Sequence, residues 1–415
     1  MRIATILRLK ARLDFFGSFR CATRGGASMV FMAILCSTGV RLRADELVLA
    51  HFVATNHPVH ASVLVPLAER LSTVSGGALT FRIIPNVADP SRQYQRVTNR
   101  EADLVFGLPD YTPEVFPRTR LIELPETATT PSEATRMLAN ALPRTLAPDY
   151  GSVIPLGVWV GESAAIISRG RAIRDLGDMA GLRIRAADPV TARLLEIWGA
   201  TPVVLTANQI LPALQGGQID AALIGSSGIA PFQLNTVATS CTVNLPVTLT
   251  SFYLLMNRQS WDALSPANQS LIRDATGLAM SLTATAAYEK AGQVGLEKLR
   301  QQNIEVIELT SGQSEPFRAA TRLVTAESLD LLTSQQIDGR KVLDNFRPRL
   351  AIIRAVSGVE VRLFGAEGLT YGLAGTADFQ TYLPLGDRIG NASGEAVWST
   401  SLSELPLSYM RALVY

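Results

Sequence analysis

The chain has 415 residues, enough for two domains, and its 47% hydrophobic and 18% charged side chains are a globular balance that excludes a disordered or fibrous protein. The formal charge of +2 misleads, because the first 44 residues hold eight basic side chains against the single acid Asp14. The rest of the chain carries 30 basic and 35 acidic residues, a formal charge of −5, which argues against nucleic acid or an anionic membrane as the main partner.

Residues 1–44 read as an export signal. Arg2, Arg8, Lys10, Arg12, Arg20 and Arg24 precede the apolar run "ASMVFMAILCSTGV", too short to span a bilayer comfortably, and "RLRADEL" then offers the small residue Ala44 for cleavage. The basic region is long, and Met29 is an alternative start. Cys21 and Cys36 leave with this leader, so Cys241 stands alone and no intramolecular disulfide is expected. Leu35 occupies a position where a lipid-attachment box needs a small residue, and no later segment is long and apolar enough for a membrane span. The expected product is exported, periplasmic where the host has two membranes, with the signal cleaved near Ala44.

After Ala44 strands and helices alternate. "LVLAHF" (47–52) predicts a strand. "PVHASVLVPLAERLSTV" (58–74) repeats apolar residues at Val59, Val63, Leu67, Leu71 and Val74, the spacing of an amphipathic helix, with Pro58 in its first turn and Pro66 expected to kink it. Gly76-Gly77 end that helix, "ALTFRIIP" (78–85) is a second strand, a short helix comes next near 91–98, and "EADLVFG" gives a third strand over 103–107. "LRIRAA" is a strand too. Asp188 is placed to cap the next helix, Pro189 to open it and Gly199 to close it. "TPVVL" and "IDAALIG" (219–225) are strands on either side of a helix opened by the capping box "TANQ" (206–209) and closed by Gly216-Gly217, with Pro212 awkward inside it. Such repeated units predict a parallel sheet covered on both faces. "EADLVFG" and "QIDAALIG" each set an acid, Asp103 or Asp220, before an apolar strand ending in glycine, an echo that two similar α/β lobes would produce. Two helices are expected over 262–302, the second long (about 278–302), then a strand at 303–309 and helix over 313–349. Beyond Leu350 the chain turns rich in Gly, Ala, Ser and Thr and reads as a loosely structured tail.

The catalytic inventory is nearly empty. His51, His57 and His60 cluster, but no cysteine or paired acid joins them, so they read as caps or cleft-lining groups at a helix start rather than zinc ligands. "GSSG" (225–228) falls short of a nucleophile elbow, since Ile229 stands where glycine is needed and no histidine follows His60. There is no phosphate-binding glycine motif. Arg183 and Arg185 stand out instead. Arg185 lies nearer the carboxyl end of its strand, where open α/β sheets bind ligands, and a guanidinium there can grip a carboxylate with two parallel hydrogen bonds.

With these residues assembled, the chain resembles the substrate-binding proteins of TRAP transporters, the tripartite ATP-independent periplasmic carriers, of the dicarboxylate-binding type. The likeness covers about residues 47–349. It is carried by "DLGDMAGLRIRAADPVTARLLEIWGATPVVLTANQILPALQGGQIDAAL" (175–223), with support from "HPVHASVLVPLAERLSTVSGGALTFRIIPN", "LMNRQSWDALSP" and "IDGRKVL". The resemblance implies an α/β, two-lobed periplasmic-binding-protein fold with a cleft between lobes and a long connecting helix. Lobe I would be 46–162 plus about 251–285, lobe II 163–250 plus about 286–349, and 350–415 a C-terminal tail. Arg185 matches the ligand-clamping arginine, while Arg183 is structural or at the surface. Ser226 and Ser227 fall where hydroxyls can meet ligand oxygen, Thr55, Asn56 and His57 in the first strand–helix loop, and Phe252 and Tyr253 where an apolar wall is expected. Many members carry a second arginine about twenty residues before the clamp; here that stretch offers Ser163, Ala164 and Ala165, with Glu162 nearby. Arg100 also replaces the usual glycine before "EAD". Glu162 favours a monocarboxylate or a ligand with a cationic end. The implied function is capture of a small organic carboxylate for the membrane permease subunits of a TRAP transporter, by a monomer without cofactor, metal or nucleic acid. A sensory protein presenting the carboxylate to a receptor, or an enzyme on the same scaffold, are the alternatives.

Overall fold

The computed structural model describes residues 45–246 and 249–346 and, beyond them, chiefly strands between Arg349 and Val414; the expected export signal lies outside the described residues. Strand β1 (Asp45–Ala50) pairs in parallel with β2 (Leu79–Ile84) on one side and β3 (Leu104–Gly107) on the other, linked by helices α1 (Val65–Val74) and α2 (Gln93–Thr98). The expected helix at 58–74 is not one kinked rod. A wider π-helical turn, His60–Leu64, precedes α1 and leaves Pro66 in the first turn of the regular helix, where its missing N–H costs nothing.

Helix α3 (Pro131–Ala141) leads into β4 (Val153–Ser168), a strand of 16 residues. The same layout then repeats. Strand β5 (Arg183–Ala186) pairs in parallel with β6 (Thr201–Val204) and β7 (Ala221–Gly225), through helices α4 (Pro189–Ile197) and α5 (Ile210–Gln215). Asp188 caps α4 as expected, accepting from the N–H groups of Val190 and Thr191, an arrangement worth about 1 kcal/mol. Gln209 of "TANQ" reaches back to the Thr206 N–H at 2.9 Å.

The remaining strands break the parallel pattern expected from the sequence. Strand β8 (Ser240–Val243) runs antiparallel to the end of β4, and β9 (Leu249–Asn257) runs antiparallel to both β3 and β4, so the sheet is mixed, in the order β2-β1-β3-β9-β4-β7-β5-β6. Strand β4 serves both halves: Val153–Ser163 pair with β9 and Ala164–Ser168 with β7, with a register shift between Val160 and Ser163. Helices α6 (Arg258–Ala263) and α7 (Pro266–Ala275) precede α8 (Gly277–Gln301), the long helix, which packs on β4, on α3 and on the turn after β7. Strand β10 (Glu305–Glu308) pairs with β8, and the helical stretch expected over 313–349 is two helices, α9 (Ser311–Ser334) and α10 (Gly339–Phe346). Gln336, with φ 62°, lies between them.

The aspartate echo has a structural counterpart. Asp103 accepts the Val48 N–H of β1 at 2.8 Å, and Asp220 accepts the Arg183 N–H of β5 at 2.9 Å. Each acid thereby pins its own strand to the central strand of its half. Beyond residue 348 the loosely structured tail expected from composition gives way to antiparallel pairing: Arg349–Ala355 with Gly358–Phe364, and that strand with Glu395–Thr400. Alternation is in fact present in "GVEVRLF", where Val359, Val361 and Leu363 alternate with Glu360 and Arg362, but the Gly- and Ser-rich stretches around it outweigh it in composition.

Candidate functional site

Arg185 is the third residue of β5, flanked by Val203 of β6 and Ala222 of β7, and only 4% of it is exposed. Two neighbouring carbonyls fix its plane: Nε donates to Leu205 O at 2.9 Å and Nη1 to Leu223 O at 2.8 Å. Three of its five N–H donors remain after these backbone contacts, with the Tyr111 hydroxyl a further partner for one of them. Among the described residues no carboxylate lies within 4 Å of it. Burial lowers its pKa, opposed by nearby Tyr111, Asp110 and Asp188, and the guanidinium stays charged. A buried cation without a counterion is costly, and an incoming anion removes that cost. Arg183, two residues earlier, is exposed and bidentate to Asp220 through Nε at 3.0 Å and Nη2 at 2.7 Å.

Arg185 faces a cavity between the two halves of the sheet. From the β5–β7 half come Arg185, Thr191, Ala207 and Ser227; from the β1–β3 half come Phe52, His57, Phe106 and Tyr111. Strand β9 supplies Phe252, helix α8 supplies Tyr288 and β4 supplies Glu162. The aromatic rings form one wall. Phe106 lies nearly parallel to Phe52 at 5.6 Å and to Phe252 at 5.7 Å, and Phe252 meets Tyr288 at 4.6 Å. His57 stands edge-on to Phe232 and Tyr288. Burial pushes its pKa down to about 3, so the ring is neutral, and its Nδ1 accepts the Val59 N–H at 3.3 Å. His51 and His60 hydrogen-bond each other at 2.8 Å.

Two contacts join the halves at the cavity's edge. The Tyr111 hydroxyl accepts the Ala207 N–H at 3.1 Å. Arg120, with 12% of its side chain exposed, contacts Asp188, Asp110 and Glu123 together. Burial raises the pKa of both Asp110 and Glu123, and Asp110 adds to the rise at Glu123, while Arg120 draws both down. Glu123 also takes the N–H and hydroxyl of Ser251 at 2.8 and 2.6 Å.

Of the residues singled out in the sequence, Arg185, Ser227, His57, Glu162 and Phe252 line this cavity. Tyr253 does not. Successive strand residues face opposite ways, and it packs under Gly107 and against Phe116 on the other side of β9. Thr55 and Asn56 lie in their loop away from the cavity lining, Asn56 exposed and Thr55 exposed beside it, and Ser226 is buried against Gly292 of α8. Sequence reasoning missed Phe52, Phe106, Tyr111, Thr191 and Tyr288. Four are aromatic residues far apart in the chain, with no shared spacing; Thr191 alone carried a signal, as the third residue of a helix whose cap was legible.

Fold and cavity together define the two-lobed architecture of binding proteins, with the candidate site between the lobes. Residues 49–330 match the bacterial extracellular solute-binding proteins of family 7 (DctP), and the chain belongs to that family, the TRAP-type solute-binding proteins. A solute-binding protein of Albidiferax ferrireducens is 23% identical over 256 residues, spanning 60% of this chain and 75% of its own. A TRAP solute-binding protein of Rhodoferax ferrireducens, solved with copurified benzoate, is similar with a TM-score of 0.71 at 20% identity, covering 73% of this chain and 97% of that one. A TRAP periplasmic solute-binding protein of Bordetella bronchiseptica, with bound (R)- and (S)-mandelate, gives 0.67 at 22% identity, covering 73% and 98%.

Proposed function

We propose that this protein captures a small aromatic monocarboxylate in the periplasm and delivers it to the membrane permease subunits of a TRAP transporter. The observation that carries the reading is a buried guanidinium, without an acid within 4 Å among the described residues, facing a cavity walled by Phe52, Phe106 and Phe252. A carboxylate meets the unspent N–H donors of Arg185 while a ring lies against the stacked aromatics. The cavity offers one such cation, and the other acidic or basic side chains that line it are the acids Asp110 and Glu162 and the neutral His57, so nothing there pairs with a second carboxylate and a monocarboxylate is favoured over a dicarboxylate. The benzoate and mandelate bound by the two structural neighbours support the same ligand class.

Hinge closure rather than covalent chemistry is the mechanism. Lobe I is 46–162 with about 251–285 and lobe II is 163–250 with about 286–349, so the ligand bridges them and biases the closed form. Export follows from the leader at 1–44, and the working unit is a monomer. The test is isothermal calorimetry of the purified protein against benzoate, mandelate, succinate and glucuronate. Benzoate or mandelate is expected to bind, succinate to bind far more weakly, and Arg185→Ala to weaken the aromatic acids roughly 100-fold with unchanged circular dichroism, given about 1.5–3 kcal/mol for a charged hydrogen bond. Unchanged affinity in that variant overturns the clamp, and tighter binding of succinate overturns the ligand class.

A further inference from the structure

Glu162 has no part in the clamp, yet the fold goes to some length to place it. It sits in the register shift of β4 between Val160 and Ser163, where the strand passes from pairing with β9 to pairing with β7. Bulges of this kind re-aim side chains, and here one brings a carboxyl to a cavity whose other charged lining residues are Arg185 and Asp110, the latter held by Arg120. The side chain is held firmly. Its Oε1 accepts the Ser227 N–H at 2.6 Å. A methyl group at Gly225 would stand 2.5 Å from that oxygen, and one at Gly292 of α8 would stand 3.2 Å from Glu162 Cγ, so both neighbouring elements close on it through glycine. Among the described residues no lysine, arginine or histidine lies within 4 Å of the carboxylate. Burial drives its pKa up to about 7, against the Ser227 contacts that pull it down and with Glu289 adding to the rise. Among the described residues the donors that reach it are those of Ser227 and its own backbone, and the Tyr288 hydroxyl beside it is buried with no partner of its own, so the carboxyl and that hydroxyl together face the cavity as groups a ligand can join.

We infer that Glu162 is a second ligand contact, taking the O–H or N–H donor on a ring substituent of the bound acid, so that the preferred ligand is a hydroxy- or amino-substituted aromatic carboxylate. This rests on the aromatic-acid reading above and specifies the part of the ligand not held by Arg185. Glu162 is a specificity-determining residue whose effect depends on the ring substituent, which a purely structural support of the 226–228 turn would not.

The experiment compares the wild type with Glu162→Gln, which keeps an oxygen for the Ser227 N–H but allows the ligand-facing acceptor to become a donor. Both are titrated by calorimetry with benzoate and with the positional isomers of hydroxybenzoate and aminobenzoate. At least one isomer is expected to bind the wild type about tenfold more tightly than benzoate, the scale of one hydrogen bond to a charged group. In the variant that preference is expected to fall below about threefold. Equal binding of benzoate and every substituted acid by the wild type overturns this inference while leaving the aromatic-acid reading intact, as does a variant that weakens all the acids by one common factor. Failure of any aromatic acid to bind overturns both.

Discussion

The two arginines of "GLRIRAADPV" differ by what reaches them. Arg183 meets Asp220 at the surface, and Arg185 is enclosed, its plane anchored by two carbonyls. Its planar fork is what matters, since Nε and Nη1 anchor the plane and leave the fork beside Tyr111 at the cavity. Lysine has no second edge to do both, so Arg185→Lys is expected to weaken binding at least tenfold in calorimetry despite keeping the charge. The buried titratable groups pull stability in opposite directions with pH. His57, held neutral with a pKa near 3 by burial, declines a proton that the unfolded chain accepts below about 6.5, so its contribution is complete above that pH and is lost on acidification. Glu162, raised to about 7, keeps a proton that the unfolded chain releases above about 4.5, so it lowers stability as pH rises from there to neutrality. Urea unfolding at pH 6.5 and 4.5 separates the two. The stability difference between His57→Asn and wild type should shift in the variant's favour by roughly 2 kcal/mol at the lower pH, at 1.36 kcal/mol per pH unit. Parallel behaviour would mean that His57 titrates normally in the fold.

At the level of elements, close approach decides which glycines matter. Gly295 of α8 faces the Ser226 carbonyl so closely that a Cβ has no room, whereas Gly312 in the first turn of α9 has nothing within 4 Å. Gly295→Ala is therefore expected to lower Tm, a backbone clash costing about 1–3 kcal/mol and exceeding the gain in helix propensity, while Gly312→Ala should raise it slightly. Scanning calorimetry of the two variants checks both signs. The elements legible in the sequence were those with local punctuation. Asp188-Pro189 before α4, the double glycines after α1 and α5, and the acids before β3 and β7 are chemical signals lying within a few residues of the structure they specify. Strands β4 and β9 carried none. "VIPLGVWVGESAAIIS" contains Pro155, Gly157 and Gly161, has no clean alternation, and is a strand because β9, β7 and β8 pair with it from distant positions. The same blindness put Tyr253 beside Phe252 on one wall, because without a register the two faces of a strand cannot be told apart.

For the whole molecule, the two halves are variations on one plan. In each, a central strand lies between two parallel neighbours, and an aspartate pins the third strand to the first. The short repeat "EADLVFG"/"QIDAALIG" was the legible trace of that plan. The cavity between the halves was not legible, because its walls are drawn from both and from the elements that cross. The Tyr111–Ala207 hydrogen bond is one of the few direct ties across the cavity, so Tyr111→Phe should favour the separated form and weaken ligand binding by roughly three- to tenfold, the worth of a single neutral hydrogen bond. Small-angle scattering should record a smaller ligand-induced contraction at subsaturating ligand; full contraction at unchanged affinity would show that the tie carries no weight.

On the proposed function, the buried guanidinium, with no carboxylate within 4 Å among the described residues, would also make the shape of the empty protein depend on charge. Shut without cargo, the molecule would hold a dehydrated cation; ajar, it lets water hydrate that cation again. A neutral mimic such as benzamide shares the ring and outline of benzoate but offers no compensating negative charge, so it is expected to occupy the groove without drawing the halves together. If the proposed clamp holds, the trigger for shutting is the sign of the visitor rather than its size, and a carrier built this way would present itself to a membrane partner as loaded only when an anion is aboard.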